Sequence, residues 1–521
     1  MDKKYILVND VGTTGVRSVI IDKDTNIVSE AYEEVPHIYP EPGWVEQDPG
    51  EIWEKCLKVT KKAMSDAKLT SKEIAAIGIA TQRATNVLWD KKTGTPVYNA
   101  ISWQDTRTAK LCEEISQQTS LKLVRGIGRV ITELSSAVKF LRKSRAIRML
   151  ITASHLSLTP EMSTPHVRWV LDNVKGANEK AKKGDLLFGT LDTWLVWKYT
   201  EGKVHATDFS NISCTGMFDP FSLKWSNTLL KPFKLPKEIK LPEIKETSDD
   251  YGKTTLLGEP IPITSVVADQ QSALFAEACF GKGDVKCTNG TGTFIDMNTG
   301  HEPMASVHKM TPMIAWKLNG KVTYQLEGIV NTTGSVVQWL RDDLRIISSA
   351  GETEKLAKSV EDTKGVYMVP AFAGLSSPHW DPYARGTILG LTRGAKKEHL
   401  VRATLESIAY RCRDIMLAMI EDTGIEVRMI KADGSASQND FILQFMADML
   451  HVDVERPKIL EATALGAAYF AGLRVGYWKS QDELKKYRKV DKRFSPKMSA
   501  KKREELYEDW ERAVERALDW A

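Results

Sequence analysis

At 521 residues the chain exceeds what one ordinary hydrophobic core supports, so two domains of roughly 250 residues each are expected. Its 42% hydrophobic and 27% charged residues make a globular composition, and no apolar run is long enough to span a bilayer. A net charge of +4 gives no electrostatic case for nucleic acid or a membrane, and neither is expected as a partner. The six cysteines, Cys56, Cys112, Cys214, Cys279, Cys287 and Cys412, are scattered without short paired spacings. That argues against a zinc site or a disulfide framework and for a reduced, cytoplasmic setting. The chain enters a strand at once, in "KKYILVND", leaving no room for a signal peptide.

In chain order, "YILVNDVG", "VRSVIID" and "NIVSEAY" read as three consecutive strands joined by tight turns. A helix follows from Asp48, "DPGEIWEKCLKVTKKAMSDA", with an Asp cap and Pro49 at its first position. "IAAIGIATQ" is then a buried strand, and strand-rich and helix-rich pieces alternate beyond it, which makes the class α/β. Residues 122–156 form a basic segment, part of which fits an amphipathic helix. It reads as an inserted, solvated helix or, alternatively, as a membrane-surface or partner helix. Near mid-chain the opening pattern recurs: "DVKCTNGTGTFIDMNTG" is again strand, Gly/Thr turn, strand, and "MIAWKLNGKVTYQLEG" is a hairpin turning at Asn319-Gly320. Two such units imply two similar facing domains, residues 1–278 and 279–521, with the boundary near Ala276–Lys282.

The turns carry the chemistry. Glycine with hydroxyl side chains aims backbone N–H groups and Thr hydroxyls into one concavity, which suits phosphate oxygens. Thr13 and Thr14 stand in the first turn; Thr291 and Gly292 stand in the second. Asp10, just before the first turn, is placed to hold Mg²⁺, and Arg17 on the return strand to reach a transferring phosphoryl group. Either turn alone is also what a plain hairpin looks like; the pair in matching contexts is what argues for phosphate. Neither is a Walker loop, since no Gly-Lys-Ser/Thr ends it and each leads into a strand. A third small-residue turn, in "IKADGSASQND", puts Gly434 and Asn439 where a flat ring can approach the backbone. Asp269 closes the apolar strand of "PITSVVADQQSALF" and opens a helix. An acid there is commonly just a cap, yet a helix N-terminus also keeps a catalytic carboxylate ionised and directed. Gln270 beside it is placed to bind a substrate hydroxyl.

These residues, with "NAISWQDTRTA", "GTLDTWLVWKYT", "NGTGTF", "LEGIVNTTGSVVQWLRD" and "GTILGLTRGAKKEHLVRATLE", resemble the FGGY carbohydrate kinase family over nearly the whole length. Within it the chain most resembles the branch that acts on glycerol. The resemblance implies an actin-like (ribonuclease H-like) two-domain ATPase fold, with duplicated mixed sheets flanked by helices and both substrates in the cleft. It implies ATP as phosphoryl donor, Mg²⁺ near Asp10, and Asp269 as catalytic base. It also implies polyol contacts from Arg83, Trp103, Gln270 and Phe294, and nucleotide contacts from Thr13, Thr14, Arg17, Thr291, Gly292, Gly334, Gln338, Gly434 and Asn439. The expected partner is a small polyol, and the expected assembly a homodimer or homotetramer.

The departures lie at the acceptor. Val11 stands where the family has Gln or Glu, and "TQRAT" replaces "NQRET", so Ala84 takes the place of a glutamate that binds a glycerol hydroxyl. "PEMSTPHVRW" lacks the family tyrosine, and "NISCT" replaces "NASRT". Losing one charged hydrogen bond costs on the order of 1.5–3 kcal/mol, enough to shift acceptor preference without ending kinase activity. Three functions therefore follow from the sequence: a kinase for glycerol, a kinase for another polyol or ketose, and a non-catalytic nucleotide and polyol sensor.

Overall fold

The opening pattern folds into an antiparallel meander, β1 (Tyr5–Val11), β2 (Gly15–Ile21) and β3 (Ile27–Glu34). β4 (Ile74–Thr81) and β5 (Ile261–Ala268) then extend the sheet in parallel beside β1, and Lys253–Thr254 closes its far edge. β4, "IAAIGIAT", is buried along its whole length, as parallel strands covered on both faces must be. A computed structural model, which describes residues 3–137, 139–154, 158–459 and 461–521, provides these coordinates.

The second sheet repeats the plan. β6 (Val285–Asn289) and β7 (Thr293–Gly300) form the turn-bearing hairpin, and β8 (Thr311–Leu318) and β9 (Lys321–Val330) add beyond β7. β10 (Met429–Asp433) and β11 (Asp453–Pro457) lie parallel beside β6, with β12 (Val490–Phe494) at the edge. In both sheets, then, an antiparallel meander carries the Gly/Thr turn and parallel strands follow from further along the chain. The helices that matter here are α1 (Pro49–Asp66), α2 (Thr119–Ala137), α3 (Arg145–Ser154), α4 (Asp269–Ala276), α5 (Gly334–Asp342), α6 (Lys397–Thr423), α7 (Asp440–Leu450) and α8 (Ala462–Arg474). α1 starts as its sequence dictates, with Asp48 accepting from the N–H groups of Gly50 and Glu51 and Pro49 in the first turn.

The chain does not stay within its halves. α8, near the C-terminal end, packs on α4 and against β1, β4 and β5 of the first sheet. Its alanines share one core with Ile6, Val8, Ala76, Val267 and Phe275. Two glycines allow that approach: a Cβ at Gly78 would sit 2.6 Å from the Ala467 carbonyl oxygen, and one at Gly466 would sit 1.9 Å from that of Ser272. Backbone cannot yield as a side-chain tip can. Gly466→Ala should therefore lower the unfolding free energy by roughly 1–3 kcal/mol, the cost of overpacking, while Gly351→Ala, which meets nothing within 4 Å, should be silent. Urea titration of both variants checks this; equal midpoints would show that the α4–α8 crossing is not tight.

Candidate active site

The first turn is held from several sides. Gly12 N–H donates to the Gly15 carbonyl (3.0 Å), closing the hairpin, and Gln47 Nε2 donates to the Thr13 carbonyl at 2.9 Å. The Trp103 indole N–H donates to the Thr13 hydroxyl at 3.1 Å. Trp103, expected beside the polyol, is thus tied to the first Gly/Thr turn. Thr14 is exposed at the tip. Asp10 and Arg17 face each other across the hairpin register. Arg17, expected to face a phosphoryl group, is ion-paired with Glu461 at the start of α8 and lies 3.8 Å from Glu30.

The second turn is built alike. Gly290 N–H donates to the Gly292 carbonyl (2.8 Å), and the Thr293 hydroxyl bonds Asn289 (2.8 Å) and Thr333 (2.7 Å). Gly334 and Gly434 press on this turn: a Cβ would be 2.6 Å from the Gly290 oxygen in the first case and 2.4 Å from that of Asn289 in the second. Gly434 also has φ +87°, a left-handed conformation that glycine adopts without strain. Thr291 and Gln338 are exposed. Asn439 caps α7, accepting from the N–H groups of Phe441 and Ile442, and its amide donates to Thr353 (3.1 Å). It therefore stands at the third turn with its oxygen already engaged.

Asp269 follows β5 directly and Asp10 is the last residue but one of β1, so both acids lie at the C-terminal ends of strands that flank β4 in parallel, where open α/β sheets bind ligands. Burial pushes Asp10 up to about 7, with repulsion from Asp269 adding to it and Arg17 opposing. Burial also raises Asp269, which Arg83 counteracts from 3.6 Å. Arg83 lies over the Phe294 ring, 5.5 Å from its centroid, and donates to Glu327 at 2.7 Å. Arg83 belongs to the first half of the chain and Glu327 to β9 of the second, so this ion pair ties the two halves together beside Asp269.

Behind it lies a ladder of charge that none of the motifs marks. Lys286, Asp296 and Glu327 are direct cross-strand neighbours on β6, β7 and β9. Two acids in register repel, and burial drives Glu327 up to about 7. Lys286 neutralises one end, at 2.9 Å from Asp296, and Arg83 the other. Lys286 also donates to Gln270 Oε1 at 2.7 Å, which fixes the residue expected to bind a substrate hydroxyl. The missed signal was an acid inside each of two apolar strands, "TFIDM" and "YQLEG", since buried acids need partners.

The acceptor departures cluster. Ala84 is buried at φ +60°, its carbonyl accepting from Ser163 (3.3 Å). Met313 Sδ lies 3.6 Å from Arg83 Nη1 and 3.4 Å from Cys214 Sγ. Glu161 is exposed, and Met162 packs at Gly216, where a Cβ would be 2.7 Å from its sulfur. Next to this wall His166 is fully buried, with Nδ1 3.0 Å from Asn86 Nδ2, and burial lowers its pKa to about 4. His205 is likewise lowered to about 4 by burial. Both bind a proton less tightly folded than unfolded. Their contribution to stability is therefore present above the unfolded value near 6.5 and lost as pH falls toward 4. Unfolding free energy should drop over that window, and His166→Gln should flatten the slope by up to roughly 3 kcal/mol in total.

Two mixed sheets of one plan, each ending in a Gly/Thr turn and joined by helices that cross between them, define an actin-like two-domain phosphotransferase. The comparisons agree. The N-terminal domain of the FGGY family of carbohydrate kinases matches residues 5–142 and 133–276, and the C-terminal domain matches 285–475. Glycerol kinases of Caldanaerobacter subterraneus subsp. tengcongensis and Petrotoga mobilis are each 48% identical over 520 residues, covering 99% of this chain and 99% of the relative. The crystal structure of Plasmodium falciparum glycerol kinase with ADP superposes with a TM-score of 0.89 at 32% identity, covering 99% of both chains. Gluconate kinase from Lactobacillus acidophilus shares the fold, with a TM-score of 0.82 at 20% identity over 98% of this chain and 97% of its own. The chain belongs to the FGGY family of carbohydrate kinases.

Proposed function

We propose that the chain transfers the γ-phosphoryl group of ATP to a primary hydroxyl of glycerol, giving glycerol 3-phosphate and ADP. The observation that carries this reading is Asp269, directly after β5, close enough to Asp10 for the two to repel and 3.6 Å from Arg83. Asp269 accepts the hydroxyl proton as the oxygen attacks in line. Arg83 and Gln270 orient the hydroxyls, and Trp103 and Phe294 pack on the carbon chain. Thr13, Thr14 and Arg17 on one side and Thr291 and Gly292 on the other neutralise the phosphate oxygens, while Gly334, Gln338, Gly434 and Asn439 receive the nucleoside. Arg17 reaches the phosphates by leaving Glu461.

Mg²⁺ fits at Asp10. Two adjacent carboxylates, one with a pKa raised to about 7, favour a cation. Mg²⁺ keeps several waters and shares phosphate oxygens, so one or two carboxylates suffice to hold it. When bound it supplies neutralisation of phosphate charge. In this reading residues 1–278 and 279–521 are the two kinase domains, α8 belongs to the joint between them, and closure excludes water. The enzyme works in the cytoplasm, as a homodimer or homotetramer; six cysteines scattered without short paired spacings support a reducing setting.

A second acceptor class is favoured by one observation: beside Ala84, Cys214 and Met313, the two acids that Arg83 meets are both committed, Glu327 to the ion pair with Arg83 and Asp269 to its role as base. ADP release measured with glycerol, dihydroxyacetone, erythritol, pentitols, ketoses and no acceptor separates the readings. Glycerol should give the highest kcat/KM. A tenfold preference for a ketose or a longer polyol would move the assignment, and ADP release that no acceptor stimulates would end it.

A further inference from the structure

The basic segment serves none of the chemistry above, and its packing is unusual. α2 carries Leu123, Ile127, Val130 and Leu134, exposed by 65%, 49%, 58% and 57%. At about 100° per residue these four fall within an arc of about 60°, making one apolar stripe along an outer helix. A second arc, about 100° round, carries exposed Lys122, Arg129 and Glu133. The third arc, with Leu121, Gly128 and Ser135, is buried. It packs on α3 so closely that a Cβ at Gly128 would be 2.2 Å from that of Ser154. α3 is in turn anchored to the body: Arg148 pairs with Glu302 (2.6 Å) and donates to the Pro303 carbonyl (2.9 Å), and Arg145 donates to that of Phe221. The pair is thus docked through α3, with the stripe on α2 turned outward.

Charge selects what covers the stripe. Residues 119–154 hold eight lysines and arginines against the single Glu133, a local excess that the whole-chain charge of +4 conceals. The crowding is felt within the helix, where burial and the neighbouring Arg129 both lower the pKa of Arg125. A second copy laid along the stripe would set these like charges against one another; an anionic lipid surface would neutralise them. We propose that α2 is an interfacial helix that docks this kinase on bilayers rich in anionic lipid. Its four aliphatic side chains enter the boundary between headgroups and acyl chains, and Lys122 and Arg129 face the lipid phosphates. The attachment is peripheral, for among the described residues no helix is long and apolar enough to cross a membrane.

The test is co-sedimentation of the full chain with vesicles of phosphatidylglycerol and phosphatidylcholine, and of phosphatidylcholine alone, at low and high salt. Wild type should pellet with the anionic vesicles at low salt and be released by high salt. The uncharged double variant Ile127→Gln/Val130→Gln should partition at least tenfold more weakly. Lys122→Gln and Arg129→Gln should each weaken binding about fivefold. All variants should keep kinase activity toward soluble substrates, which also reports that they fold. Wild type left in the supernatant with anionic vesicles at low salt overturns the proposal, as does unchanged binding of the Ile127→Gln/Val130→Gln variant. A dimer that this variant converts to monomer, without vesicle binding by wild type, would instead make the stripe an interface between copies.

Discussion

Asp269→Asn should reduce kcat for acceptor phosphorylation by roughly 10²–10⁴ while ATP binding persists. Asparagine keeps the shape of the side chain and still accepts from the Gln270 N–H that Asp269 accepts at 2.7 Å. What it loses is the ability to take a proton. Folding should not suffer, because Asp269 and Asp10 repel each other and neutralising one relieves both. A variant that melts at or above the wild-type temperature, binds nucleotide and fails to turn over would assign the base. Since burial raises Asp269 and a base there must be ionised, the acid limb of kcat/KM should lie above the value of a free aspartate and change in the variant. An unchanged rate would remove Asp269 from its role.

Glu327→Ala should have the largest effect on stability, on the order of 3–5 kcal/mol, because it strips a buried guanidinium of its closest partner. Arg83 is 14% exposed and Glu327 3%, so water cannot substitute well for the lost carboxylate. The remaining acid within reach is Asp269, at 3.6 Å. Arg83 would close on it, lowering its basicity and leaving the place where it is proposed to bind the acceptor hydroxyl. The variant should therefore show a raised KM for the acceptor and a lower kcat, with nucleotide affinity little changed. Glu327→Gln, which can still accept from Arg83, should recover much of the stability. Denaturant titration with parallel kinetics checks both; a loss under about 1 kcal/mol for Glu327→Ala, the range of an exposed pair, would mean that the bridge between the two halves is loose.

Local pattern alone determined a good deal of this protein. Apolar runs of strand length broken by Gly and Thr specified both turn-bearing hairpins, and Asp48-Pro49 specified the start of α1, because those preferences act over a few residues. The same locality exposed Asp10 and Asp269, each at the end of an apolar strand, and the ordered motifs identified the family. Tertiary structure decided what distant segments bring together. Glu461 engages Arg17 from the far end of the chain, α8 completes the core of the first sheet, and Glu327 meets Arg83 across the two halves. No sequence window spans those separations. Electrostatics is likewise a matter of who lies within a few ångströms: the +4 of the whole chain foretold neither the Lys286–Asp296–Glu327 ladder nor the stripe on α2. Composition sums charges, whereas folding places them.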